Sequence, residues 1–317
     1  MEFPGFLGNE QLKKNLSAAV DRQRAAHFYL ISGPEGSGKH TLAKLLCAAL
    51  VCTAPQKPCC RCPQCRKALA GGHPDIITVD DTEHKTVSVK VIRDAREDLF
   101  IRPNEASRKI YYVPRGHDLG LPGQNALLKV LEEPPAYGVF VLLTNNADQL
   151  LPTVRSRCVE LKLQPLSKQQ ILGELQKEFP QASAEDRSAA AARCGGWLGQ
   201  AKALLSDGGG WSPQAKDFAQ AFTKKDSEAL LRLLVPLEKS KRDVLIPILQ
   251  QWVDLLGGAL TCRAGLPPLD SMTRALAASR TPQDLNRAIR ILEESIEFLQ
   301  GNVSPGAVCG NLVWQLQ

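Results

Sequence analysis

The chain has 317 residues, of which 44% are hydrophobic, which excludes a disordered chain and suits two or three domains. Its net charge of +6 is compatible with nucleic acid or acidic partners, and equally with an ordinary basic surface. No apolar run reaches the roughly 18 residues of a membrane span, and Met1-Glu2-Phe3-Pro4 lacks the basic and then apolar opening of a signal peptide. The expected setting is therefore the cytoplasm, with no membrane contact, where the 10 cysteines point to metal rather than to a disulfide framework.

Residues 1–160 read as alternating strands and helices. Strands are predicted at Phe28–Ser32, Asp75–Val79, Lys109–Val113, Val139–Thr144 and Cys158–Leu163, with helices at Thr41–Leu50, Val89–Ile101 and Gln124–Leu131. This alternation implies an α/β domain with a parallel sheet covered on both faces. After Pro165 the strand signal disappears: residues 166–205 form a small helical unit starting near Ser167. Gly208-Gly209-Gly210 reads as a linker, and the remainder is helical, with amphipathic stretches at Ala229–Leu237, Val244–Leu256 and Leu285–Leu299.

Gly33-Pro34-Glu35-Gly36-Ser37-Gly38-Lys39 follows the first strand and opens a helix, the context a phosphate-binding loop requires. Its amides and the helix N-terminus are suited to cradling phosphates, with Lys39 reaching the outer ones. A glycine-rich turn kept for its shape is the plain alternative. The position after the lysine, where a hydroxyl should bind magnesium, holds His40, and Thr41 points about 100° further round the helix. The strand Lys109–Val113 runs into Pro114-Arg115, where a magnesium-dependent ATPase needs acids. Asp118 lies too late in the chain, and Glu132-Glu133 belong to a later helix. ATP hydrolysis at this site is expected to be lost.

Cys52, Cys59, Cys62 and Cys65 form C-x6-C-x2-C-x2-C between the loop's helix and the second strand, a spacing that closes a tetrahedral zinc site of structural type. The Pro-, Lys- and Arg-rich stretch 57–67 offers no core in which unliganded cysteines would be expected. Cys60 is an extra thiol, and Cys47 is expected to face the core from the preceding helix.

Several segments resemble the bacterial clamp-loader family of the AAA+ class. Phe6-Leu7-Gly8-Asn9-Glu10 resembles its "F-x-G-Q-E" opening and His27-Phe28-Tyr29-Leu30 its "H-A-Y-L" strand. Residues 125–135, Asn125 to Pro135, resemble its "N-A-L-L-K-x-L-E-E-P-P" run, and Ser156-Arg157-Cys158 is its "S-R-C" motif. The resemblance is strong over 3–165 and rests on architecture after 210. In place of the motor pattern "G-S-x-R-D-A-L" stands Gly196-Trp197-Leu198-Gly199-Gln200-Ala201, with Gly199 at the phosphate-contacting arginine. Eroded Walker motifs beside an intact "S-R-C" resemble the delta-prime type of subunit, a stator with no ATPase expected of its own, the alternatives being an active motor subunit of the gamma/tau type or a zinc-binding DNA adaptor.

The resemblance implies a P-loop AAA+ domain at 1–165 with a zinc module at 52–65, a small helical lid at 166–207 and a helical collar at 208–317. It implies that Gly33, Gly36, Gly38 and Lys39 form a degenerate loop of doubtful ATP or ADP binding. Arg157 is implied to act in trans on a neighbouring subunit's ATP, a surface ion pair being the plain alternative; Arg155 points to the opposite face if the segment is extended. Thr144 sits at the sensor-1 position and is expected to bond locally. The implied partners are the motor and delta subunits of a five-membered ring in the DNA polymerase III holoenzyme, together with the sliding clamp and primed DNA. His73-Pro74-Asp75 is read as a chain reversal. Lys85, Lys90, Arg93, Arg96, Arg102, Arg108 and Lys109 are read either as a DNA-facing stretch or as a solvated surface.

Overall fold

The computed structural model describes residues 3–21, 25–84, 86–132, 134–206, 211–266, 270–301 and 303–316. Met1, Glu2, Lys85, Glu133 and Gly208-Gly209-Gly210, all named above, lie outside the described residues. The chain forms two compact units, Met1–Ile171 with Gly196–Gln200, and Leu172–Gly195 with Ala201–Gln317.

The first unit runs α1 (Glu10–Asp21), β1 (Phe28–Ser32), α2 (Lys39–Val51), α3 (Pro63–Leu69), β2 (Ile76–Thr78), α4 (Val89–Asp98), β3 (Lys109–Val113), α5 (Leu121–Glu132), β4 (Gly138–Thr144), α6 (Pro152–Arg155) and β5 (Val159–Lys162). The strands form one parallel sheet in the order β2-β3-β4-β1-β5. β1 and β4 are buried along their whole length, as expected of strands covered on both faces. One layer packs Tyr29, Ile31, Leu42 and Leu46 on one side of the sheet. The other packs Leu30, Tyr111, Leu127 and Phe140, with Tyr111 and Phe140 stacked at 4.8 Å.

The α/β expectation holds, and the differences have local causes. The second strand is Ile76–Thr78 rather than Asp75–Val79, although Ile110 N–H still donates to Asp75 O and Val79 N–H to Tyr112 O, both at 2.8 Å. The α4 helix stops at Asp98 rather than Ile101: Lys109 Nζ donates to the carbonyls of Asp98 (2.9 Å) and Ile101 (3.2 Å) and pairs with the Asp98 carboxylate, which finishes the helix end. Lys109 is thus a buried structural cation and leaves the proposed basic stretch. Three helices of this unit carried no recognised signal, α1, α3 and α6. In α3, Cys62 is the N-cap and Pro63 the first helical residue. Cys52, Cys65 and Ala68 join the buried cluster, so the stretch around 57–67 does meet a core, contrary to expectation.

The second unit continues through α7 (Lys168–Glu178), α8 (Ala184–Arg193), α9 (Leu198–Ser206), α10 (Pro213–Lys224), α11 (Ser227–Leu237), α12 (Arg242–Arg263), α13 (Ser271–Ser279), α14 (Pro282–Gln300) and α15 (Pro305–Gln315), the first turns of α7 and α9 belonging to the first unit. Its core stacks Phe218 on Trp252 at 4.2 Å. The α12 helix is long and apolar enough to cross a membrane by length and composition. Its face carrying Leu245, Leu249, Trp252 and Leu256 is the centre of this core. Arg193 lies 3.6 Å over the Trp211 ring, a cation–π contact within the unit.

Asp75 organises the edge of the sheet. Its carboxylate accepts the N–H groups of Asn104, Glu105 (2.8 Å) and Ala106 (2.7 Å), and its own N–H donates to His73 Nδ1 at 3.0 Å. His73 Nε2 therefore carries the proton and donates to Gln64 Oε1 at 2.7 Å, tying α3 to the start of β2. The His73-Pro74-Asp75 segment is a structural hub. Burial pushes the Asp75 carboxyl up, but the three amides together outweigh it and hold it below the ordinary carboxylate range. A depressed folded value means stability that is present above about pH 4 and lost as pH falls through the folded value. Asp75→Asn is therefore expected to cost about 1–3 kcal/mol at neutral pH. In denaturant melts, the gap to wild type should close as pH drops below about 4; a gap independent of pH would contradict this role.

Candidate functional site

The phosphate-type loop sits between the C-terminal end of β1 and the start of α2, and two of its glycines carry a left-handed backbone. Gly36 has φ +76° and Gly38, the N-cap of α2, has φ +89°, conformations that favour glycine. Gly33 N–H donates to Thr144 O at 3.2 Å, anchoring the loop to β4. The loop's far side meets the segment 196–200. Gly199 N–H donates to Gly36 O at 2.9 Å, and Gln200 Nε2 donates to Glu35 O at 2.9 Å. A Cβ on Gly199 would lie 2.6 Å from Gly36 Cα, and one on Gly36 would lie 2.6 Å from Gln200 N. The two backbones touch, and only glycine permits it.

Lys39 is 4% exposed, and its Nζ turns back to Pro34 O at 3.2 Å. Burial lowers its pKa, partly offset by Glu35. His40, at the magnesium position, shares a 2.7 Å hydrogen bond with the Tyr112 hydroxyl of β3. Burial, with Lys39, Lys44 and His117 adding repulsion, keeps the imidazole below its usual range. The position thus presents a nitrogen already shared with a tyrosine in place of the hydroxyl oxygen that magnesium takes.

At the end of β3, Arg115 is fully engaged. Its Nε donates to Asp80 at 2.8 Å, and Nη1 donates to His84 O at 3.2 Å and to Asp118 at 3.4 Å. Its Nη2 donates to Asp81 O. Asp118 is therefore taken up by an arginine and stands in for no missing acid. Thr144 Oγ1 donates to Asn146 O at 2.8 Å, the local bond expected of it.

Arg157 lies on the turn between α6 and β5 and is 41% exposed in its side chain. Its Nη1 donates to Thr153 O at 3.1 Å, and Nη2 stands 3.6 Å from Glu132. Arg155 belongs to the helical turn of α6, not to an extended segment, and is drawn to Asp148 at 2.6 Å and Glu160 at 3.8 Å. Of the two, Arg157 is the more lightly held.

The four cysteines converge. All four Sγ atoms of Cys52, Cys59, Cys62 and Cys65 lie within 4.8 Å of one another, with Cys52–Cys62 and Cys59–Cys65 at 4.0 Å. A tetrahedral zinc with Zn–S bonds of about 2.3 Å needs sulfurs about 3.8 Å apart, so the set fits. The N–H groups of Cys62 and Cys65 donate to Cys59 Sγ and Cys62 Sγ at 3.3 Å each, which favours thiolates. At Cys62 burial raises the thiol, but the Cys65 N–H and the neighbouring thiols outweigh it and hold it at about 6. Cys60 points its Sγ toward Pro58 O instead, and Cys47 is buried in α2, where burial pushes its thiol to about 12.

Residues 8–167, half of the chain, match the family model described as "DNA polymerase III, delta subunit". The chain belongs to this clamp-loader family of the AAA+ class. It is 34% identical over 177 residues to DNA polymerase III subunit tau of Bacillus subtilis, covering 55% of this chain and 31% of that protein. It is 32% identical to DNA polymerase III subunit gamma of Buchnera aphidicola, covering 53% and 47%. The match thus spans less than half the length of these relatives. Among solved structures, a gamma subunit-related protein of Thermotoga maritima aligns over 96% of this chain and 97% of that one, at 18% identity and a TM-score of 0.46.

In this clamp-loader family member, the loop glycines and the 196–200 segment form one packed unit, a contact that no local sequence pattern signals. Restoring an arginine at position 199 is expected to break the packing rather than revive a site. Gly199→Ala should cost about 1–3 kcal/mol through overpacking, and Gly199→Arg should lower the melting temperature without producing ATPase activity. Unchanged melting of Gly199→Ala would overturn the close-contact role.

Proposed function

We propose that this chain is the delta-prime subunit of the DNA polymerase III clamp loader, a stator that completes a neighbouring motor subunit's ATP site. The observation that carries the reading is Arg115, a cation locked onto Asp80 and Asp118 where an active site needs acids. His40 bonded to Tyr112, Lys39 folded onto Pro34 and Gly199 against Gly36 support the same reading. Gly33, Gly36, Gly38 and Lys39 then form a loop kept for packing, with weak or no hold on ATP or ADP. The expected parts are the α/β domain at 1–165, a lid at 166–207 and a collar at 208–317. The partners are the motor and delta subunits of a five-membered ring, loading the sliding clamp onto primed DNA in the cytoplasm.

Arg157 supplies the trans-acting guanidinium. Its intramolecular pair with Glu132 is long and solvent-exposed, worth about 0–1 kcal/mol, so a γ-phosphate can displace it. The planar, permanently charged head suits the charge that develops on phosphoryl transfer. Zinc occupies Cys52, Cys59, Cys62 and Cys65 as a structural ion with no open position.

A motor reading has one observation in its favour, since the relatives above are gamma and tau subunits. Magnesium-dependent turnover by the isolated chain, abolished by Lys39→Ala, would establish that reading and remove the stator. For the stator, Arg157→Ala should leave the reconstituted ring assembled while slowing the facing site by about 10³–10⁵. Total turnover at saturating DNA falls less, because other sites keep their own arginines. Unchanged turnover in an assembled mutant ring would defeat the trans role.

Metal analysis should give about one zinc per chain. Chelation should loosen the 52–65 module, read as new proteolytic cleavage there. A metal-free chain with an intact, protease-resistant module would remove zinc from the assignment.

A further inference from the structure

A cavity of about 410 Å³ lies in the first unit at the edge of the sheet opposite the phosphate-type loop. Ser107 and Arg108 immediately precede β3, Tyr137 immediately precedes β4, and Val20 and Leu50 come from the ends of α1 and α2. Lys57, from the loop between Cys52 and Cys59, completes the polar side. In parallel α/β sheets nucleotides bind at the carboxyl ends of the strands, and this cavity lies at the amino ends.

Its charge is unbalanced. Arg108 Nη1 is buried and has no hydrogen-bond partner among the described residues. Folded proteins rarely leave such a donor unsatisfied unless something outside the chain takes the bond. Lys57 likewise has no ion pair or hydrogen bond among the described residues. The acid closest in sequence to Arg108, Glu105, is held by Lys67 at 2.6 Å. Two cations thus line one concavity together with the hydroxyl-bearing Ser107 and Tyr137 and the apolar Val20 and Leu50. The volume falls in the range of small-ligand sites, about 300–1,000 Å³.

We propose that this cavity is a second binding site, for a small organic anion whose phosphate or carboxylate head meets Arg108 and Lys57 and whose apolar body lies against Val20 and Leu50. A forked guanidinium suits either head, since both present paired oxygens. The site is independent of the phosphate-type loop and of the stator reading.

The test is isothermal titration of the full chain with phenyl phosphate and, separately, phenylacetate, which share an aromatic body and differ in the head. Saturable binding of either one, weakened roughly tenfold or more by Arg108→Gln or Lys57→Gln and unaffected by Lys39→Gln, supports the site and identifies its preferred head. Absence of saturable binding of both at millimolar concentration overturns it. So does binding lost in Lys39→Gln and kept in the other two, which would place the anion at the loop near β1. Because Arg108→Gln can disturb the fold, amide chemical shifts of the wild-type chain give a second reading. Perturbations at Ala25, Ser107 and Tyr137 support the cavity; perturbations confined to residues 33–40 overturn it.

Discussion

A buried parallel strand must find hydrogen-bond partners along both edges, and β1 finds them in two strands far away in sequence, β4 and β5. Ser32 stands in register with both Thr144 and Lys162. That single constraint sets the turn carrying Arg157, which precedes β5, at the amino ends of the strands and gathers the loop after β1 and the sensor-position threonine at the carboxyl edge. Gly33 N–H to Thr144 O and Leu163 N–H to Ser32 O extend the pairing past the strand ends.

On that edge, the loop and the segment 196–200 are held at backbone contact. Leu166 N–H donates to Gly196 O at 2.8 Å and Gly199 N–H donates to Gly36 O at 2.9 Å, while Gln200 caps Glu35. An arginine at 199 would place atoms where the loop now runs. Under the proposed stator reading, the glycine at 199 and the closed loop are one change seen from two sides. The loop so placed is a packing surface, and Gly36 and Gly199 are held to glycine by that contact.

The arginines of this unit show how neighbours, not residue type, decide what a cation does. Arg115 is surrounded by Asp80, Asp118 and two carbonyls, and burial is outweighed by these partners, so its charge is spent internally. Arg155 is drawn to Asp148 and Glu160. Among the described residues, Arg157 meets only a carbonyl and one exposed carboxylate at 3.6 Å, and Arg108 carries a buried nitrogen with no partner. Guanidiniums that are poorly matched within the chain are the ones available to something outside it.

Much of this was legible in the sequence, because it rests on short-range patterns. Largely apolar runs of five or six residues between turn signals marked all five strands, and C-x6-C-x2-C-x2-C marked four cysteines that do converge. The substitutions His40, Pro114-Arg115 and Gly199 were visible because each breaks a chemical requirement at a fixed spacing. Helix α3 was missed because Cys62 and Pro63 read as loop residues, yet they cap and start a helix once Cys65 and Ala68 find a core. Lys109 looked like one more surface cation until α4 ended beside it. The sequence by itself determined which groups the site lacks, since a missing carboxylate or hydroxyl is a property of the residue. Only the tertiary structure decided what the remaining groups touch: the Gly36–Gly199 contact joins residues more than a hundred and fifty positions apart, and the unpaired cations of the second cavity meet only after β1, β3 and β4 are aligned. Contacts of that range are set by strand pairing and packing, which local pattern does not encode.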